Sequence, residues 1–134
     1  MHTLLLEDDL TATFLTKRLF HHEAVPGELT TFESPVEGLA FIRAQVAGQM
    51  PPDLILLDLN MPVLSGWDVL DALEPLHEQL LGHCLVYILT SSLATSDMAR
   101  AQTYPLVAGF IHKPLDRSEL QAIQDRVRAQ QPPS

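Results

Sequence analysis

The stretch Leu54-Ile55-Leu56-Leu57-Asp58-Leu59-Asn60-Met61-Pro62 decides the fold. Its run of aliphatics has no polar face, so it suits a strand covered on both sides, the condition of a central strand in a parallel sheet. Asp58 ends the run. A carboxylate there is carried by the interior and displayed at the sheet's rim. In open α/β sheets that rim, beyond the carboxyl ends of the strands, is where ligands bind.

Outward from this strand, short apolar runs alternate with amphipathic ones. The expected strands are 3–6, 29–32, 54–57, 85–89 and 109–111, and the expected helices 9–21, 35–47, 66–81, 97–104 and 117–129. Three helix starts carry capping signals: Ser34-Pro35-Val36-Glu37, Ser65-Gly66-Trp67-Asp68 and Asp116-Arg117-Ser118-Glu119. Each pairs an N-cap oxygen with an acid three residues on. Pro75 falls inside the third helix and should kink or split it. Strand–helix alternation with right-handed crossovers gives an α/β fold. The flavodoxin-like (βα)5 arrangement, a doubly wound five-stranded parallel sheet of order 2-1-3-4-5, fits this count and sets strands 1 and 3 beside the switch point.

A length of 134 residues suits one domain, and 46% hydrophobic content is enough for a core without disulfides or metals. We expect the domain to fill residues 1–129, with 130–134 a short flexible tail and no output domain after it. The net charge of −9 argues against direct contact with nucleic acid or an anionic membrane surface. The one cysteine, Cys84, excludes an internal disulfide and reads as a small core residue. No signal peptide or membrane-length apolar run is visible, which suits a cytoplasmic setting. The histidines show no metal-ligand spacing, and Phe14, Phe32 and Phe41 read as core.

The ends of the strands are the informative positions. Strand 1 ends in Glu7-Asp8-Asp9, strand 3 in Asp58, strand 4 in Thr90-Ser91-Ser92 and strand 5 in His112-Lys113-Pro114. A parallel sheet brings all of them to one rim. Two carboxylates about 4 Å apart repel by about 4 kcal/mol at an effective dielectric of about 20, so such a cluster demands a cation or a proton. Oxygen donors alone favour a hard cation such as Mg2+. A lysine and a hydroxyl beside a carboxylate also suit a phosphoryl group carried on that carboxylate. Singly, each residue has a plainer role. Asp8 or Asp9 would cap the first helix, Asp58 and Thr90 would serve turns, and Lys113 would be a solvated surface lysine. Their recurrence at four β–α junctions favours the joint reading.

These residues resemble the receiver domain of two-component response regulators, of the stand-alone, chemotaxis-regulator-like kind found in bacteria. The similarity spans nearly the whole chain. It rests on Leu5-Leu6-Glu7-Asp8-Asp9, on Leu57-Asp58-Leu59-Asn60-Met61-Pro62 with Gly66, on Ile88-Leu89-Thr90-Ser91-Ser92, and on Phe110-Ile111-His112-Lys113-Pro114-Leu115. The resemblance implies that Asp58 accepts a phosphoryl group from a histidine kinase or phosphotransfer protein. It implies Mg2+ held directly by Asp9, through water by Asp8, and by Asp58 and the Asn60 carbonyl. Thr90 and Lys113 would contact phosphoryl oxygens, Phe110 would be the switch aromatic, and Lys113-Pro114 would be a cis peptide. The output would be a downstream protein bound by the surface of the fourth helix, fifth strand and fifth helix, rather than catalysis on another substrate. Phe110 lacks the hydroxyl that some relatives carry. Tyr104-Pro105-Leu106-Val107-Ala108-Gly109 replaces the glycine-rich link often seen before strand 5.

Other readings are a phosphorelay intermediate, a Mg2+-dependent aspartyl phosphatase-type enzyme, a flavin module and an interaction protein independent of phosphate. The enzyme reading is disfavoured by Asn60, which stands where such enzymes place a second acid. The flavin reading lacks a hydroxyl- and glycine-rich loop after strand 1. The intact Asp58, Thr90 and Lys113 set opposes the last.

Overall fold

A computed structural model describes residues 1–92 and 94–130. Five strands, β1 (His2–Leu6), β2 (Glu28–Phe32), β3 (Leu54–Asp58), β4 (Leu85–Thr90) and β5 (Val107–His112), form one sheet of order β2-β1-β3-β4-β5. All pairings are parallel. The fold is therefore the doubly wound, flavodoxin-like one. We number the main helices α1 (Leu10–His22), α2 (Pro35–Ala47), α3 (Gly66–Leu73), α4 (Thr95–Ala101) and α5 (Arg117–Gln130). Gln130 closes α5, and the rest of the expected tail, 131–134, lies outside the described residues.

The sheet separates two apolar layers. Leu4, Leu6, Ile55, Leu57, Val86 and Ile88 point to one face and meet Leu39, Ile42 and Val46 of α2 and Val69, Leu70 and Leu73 of α3. Leu5, Leu54, Leu56, Tyr87, Leu89 and Ile111 point to the other and meet Phe20 of α1 and Leu120, Ile123 and Val127 of α5. Every residue of β3 is buried, as a strand with both faces covered requires. Cys84 is buried and unpaired, and burial pushes its thiol pKa upward.

The capping signals act as their chemistry dictates. Ser65 Oγ accepts from Asp68 N at 3.2 Å, while Asp68 Oδ2 accepts from Ser65 N at 2.9 Å. Asp116 and Glu119 make the same reciprocal pair at the start of α5. Pro75 splits the third helix: a 3-10 turn over Glu74–Leu76 follows α3, and one turn of α-helix, His77–Leu80, completes the segment. Phe14 is not in the core. It is 60% exposed on α1, beside Leu10 at 63% and Leu15 at 43%. The inward face of α1 is carried instead by Thr13, Thr16 and Phe20. Among the described residues no helix is long and apolar enough to cross a membrane.

Candidate functional site

The ladder registers determine what meets at the rim. Leu6 pairs with Leu57 and with Phe32, Asp58 with Leu89, and Thr90 with His112. Glu7 follows Leu6 and so lies level with Asp58; its backbone N donates to Phe32 O at 3.0 Å, which extends the β1–β2 ladder by one bond. Lys113 N donates to Thr90 O at 2.8 Å and extends β4–β5 likewise. These bonds fix the backbone beneath the site before any side chain is considered.

Carboxylate oxygens of Glu7, Asp8 and Asp58 lie within 4.8 Å of one another. Lys113 Nζ lies 3.2 Å from each Glu7 oxygen and 3.4 Å from Asp58 Oδ1. Asn60 N donates to Asp58 Oδ1 at 3.4 Å, which places the Asn60 peptide over the acid. Glu7 and Asp58 are only 1% and 2% exposed. The Lys113–Pro114 peptide is cis.

The electrostatics follow from burial and crowding. Burial, then the neighbouring Asp58 charge, pushes the Glu7 carboxyl up to about 7, against the pull of Lys113. Burial also raises Asp58, again opposed by Lys113. For Lys113, burial alone would lower the pKa, but Glu7 and Asp58 outweigh it and hold the ammonium protonated. One lysine faces three acids, so the cluster is short of positive charge. Its donors are all oxygen and partly desolvated, which fits Mg2+ rather than a softer ion.

The Asp9 carboxylate lies outside this group, although the Asp9 backbone N donates to Glu7 Oε1 at 3.2 Å. Asp9 is exposed, and its Oδ1 accepts from Thr11 N at 2.9 Å and Ala12 N at 3.4 Å as the N-cap of α1. Glu7 takes the place in the acidic group where sequence reasoning set Asp9. The signal that could have found it is the ladder itself, since the residue directly after a buried strand stays at the rim and the third one on already caps the helix. Thr90 is buried at 1% exposure, with Oγ1 donating to Ser92 O at 2.8 Å and accepting from Ser92 N at 3.1 Å. Its hydroxyl is thus held within its own loop. Phe110 is half-buried against the layer that α2 and α3 cover.

The sequence profile of the response regulator receiver domain matches residues 3–125. Among curated proteins, the "Probable methanogenesis regulatory protein FilR2" of Methanothrix harundinacea is 26% identical, over 93% of this chain and 79% of that protein. Among solved structures, a two-component response regulator from Cytophaga hutchinsonii is 25% identical, with a TM-score of 0.84 over 96% of both chains. A response regulator receiver protein from Dyadobacter fermentans shares the fold at a TM-score of 0.83 and 24% identity, over 96% of this chain and 98% of its own.

Proposed function

Because the chain belongs to the response regulator receiver domain family of two-component systems, we propose that Asp58 is its phosphoacceptor. The observation that carries this is the grouping of Glu7, Asp8 and Asp58 around the ammonium of Lys113. The donor is a phosphohistidine on a histidine kinase or phosphotransfer protein. An Asp58 oxygen attacks phosphorus, the phosphorus–nitrogen bond breaks, and the imidazole leaves carrying the electron pair. Asp8, Asp58 and the Asn60 carbonyl would hold Mg2+, with Glu7 beside them. The ion supplies neutralisation of phosphoryl charge when bound. Lys113 reaches Asp58 on a flexible four-carbon stem, so it can move aside for the incoming group and then pair with one of its oxygens.

The phosphoryl group adds charge and acceptor oxygens at Asp58. Thr90 is then drawn from Ser92 toward a phosphoryl oxygen, and Phe110 repacks beside the displaced loop. The surface of α4, β5 and α5 has two arrangements, and a downstream protein that prefers the second binds it more tightly. The experiment is incubation with Mg2+ and a small acyl phosphate, followed by intact-mass measurement. One added, base-labile phosphoryl group is expected in the parent chain and none in Asp58→Ala. Equal labelling of that variant, or a base-stable monoester, would overturn the assignment.

A further inference from the structure

Outside the acidic site, a set of directional side-chain contacts joins α3 to the α4–β5 connection. Arg100 sits over the Trp67 ring with its guanidinium carbon 4.6 Å from the centroid. Tyr104 stacks on the same indole, centroids 5.7 Å apart and planes 25° from parallel. The Tyr104 hydroxyl donates to Asp71 Oδ1 at 2.6 Å, and this bond raises the phenol pKa. Trp67 and Asp71 are one turn apart on α3, whereas Arg100 lies on α4 and Tyr104 just after it. Tyr104 is itself fixed at both ends of its peptide: its N donates to Ala101 O, and its O accepts from Val107 N, each at 3.0 Å. The four side chains therefore clasp the end of α4 and the connection that follows it to the first two turns of α3.

The other end of this connection is the acceptor loop. Gly66, next to Trp67, donates its N–H to Leu59 O at 3.0 Å. Its backbone lies so close that a Cβ there would stand 2.7 Å from Asp58 O and 2.9 Å from Leu59 Cα. No side chain intervenes, so a shift of the Asp58–Leu59 backbone must carry Gly66 and Trp67 with it or open the contact. The clasp is closed in the same arrangement in which the Thr90 hydroxyl is bonded to Ser92.

We propose that the Trp67–Arg100–Tyr104–Asp71 clasp is a conformational lock that holds the α4–β5 surface in its resting arrangement and is released when Asp58 is occupied. The inference rests on the acceptor role of Asp58 and adds to it. The signal leaves the site by α3 as well as by the Thr90 loop, and a residue set that does not touch the phosphoryl group tunes the switch. A groove of about 230 Å3 between α4 and β5, lined by residues including Met98, Gln102, Val107 and Phe110, is the surface whose shape the lock governs. By linkage, a lock that favours the resting state opposes occupation of Asp58.

The test uses beryllium fluoride with Mg2+ as an acyl-phosphate mimic, with binding followed by fluorine NMR and by emission of the chain's single tryptophan, Trp67. In the parent chain both signals should change with one midpoint. Tyr104→Phe keeps the ring and removes the Asp71 bond; Asp71→Asn weakens the same bond without touching the ring. Each should tighten mimic binding by about threefold, the scale of a weak allosteric coupling, while thermal melting falls slightly. A merely structural clasp would lower melting and leave the midpoint where it was. Unchanged Trp67 emission on binding, or equal midpoints in all three proteins, overturns the lock alone. Absence of binding by the parent chain, or binding that persists in Asp58→Ala, overturns the acceptor assignment and the lock with it.

Discussion

Asp8 and Asp9 are neighbours in sequence with different tasks. Asp8 joins Glu7 and Asp58, whereas Asp9 gives its carboxylate to the first amides of α1. The two therefore separate cleanly on substitution. Asp9→Ala should lower stability by about 1 kcal/mol, the usual loss of an N-cap, and leave Mg2+ affinity nearly unchanged. Asp8→Asn should weaken Mg2+ binding by about tenfold or more, as loss of a carboxylate from an oxygen site does, with little effect on stability. Urea melts and Mg2+ titrations of the two variants check this, and a reversed pattern would return Asp9 to the metal set. The residue chemistry is legible in the chain: Asp58, Thr90 and Lys113 stand out because each ends or closely follows an apolar run. The one-residue choice between Glu7-Asp8 and Asp8-Asp9 is not. It depends on where the β1 ladder stops and α1 begins, and three consecutive acids give no local mark of that point.

At the scale of elements, the loop from Asp58 to α3 contains the most strained residue near the site. Val63 has φ of +71°, and Leu64 N donates to Pro62 O at 2.8 Å across it, a tight three-residue turn. A β-branched residue pays a steric cost in this region of about 1–2 kcal/mol. Its side chain is 88% exposed and recovers little through packing. Val63→Asn should therefore stabilise the protein by about 1 kcal/mol, read as a higher urea midpoint at unchanged slope. Gly66→Ala should do the opposite. The two atoms nearest its Cβ, Asp58 O and Leu59 Cα, are backbone and cannot swing away, so about 1–3 kcal/mol of overpacking is expected. Labelling by acyl phosphate should slow as well, because the displaced backbone carries Asp58. Element order and most helix starts are readable from buried runs and capping boxes. The outward turn of Phe14 is not. Its helix buries Thr13, Thr16 and Phe20 instead, so the packed face of α1 does not follow hydrophobicity along the helix.

For the whole molecule, the acidic site sets a conflict between folding and function that pH exposes. Folding buries Glu7 and raises its carboxyl from about 4.5 to about 7, and Asp58 moves in the same direction. Between those two values the folded chain holds a proton that the unfolded chain has released. Stability must then fall as pH rises through this window and recover as pH falls toward 4.5. This is opposite in sign to the common salt-bridged carboxylate, whose pKa folding lowers. The contribution is on the order of 1–3 kcal/mol, since each tenfold change in proton affinity corresponds to about 1.4 kcal/mol and the charges of Asp58 and Lys113 share in the titration. Urea unfolding in a chelating buffer between pH 5 and 8 should show the decline. Glu7→Gln should flatten it and raise stability at pH 8, because the amide needs no counter-charge. Mg2+ should flatten it too in the parent chain, as the cation binds the ionised cluster and stabilises the fold by mass action. A decline that survives Glu7→Gln at full slope would place its origin elsewhere, and stability that rises from pH 5 to 8 would mean that Lys113 alone neutralises the site.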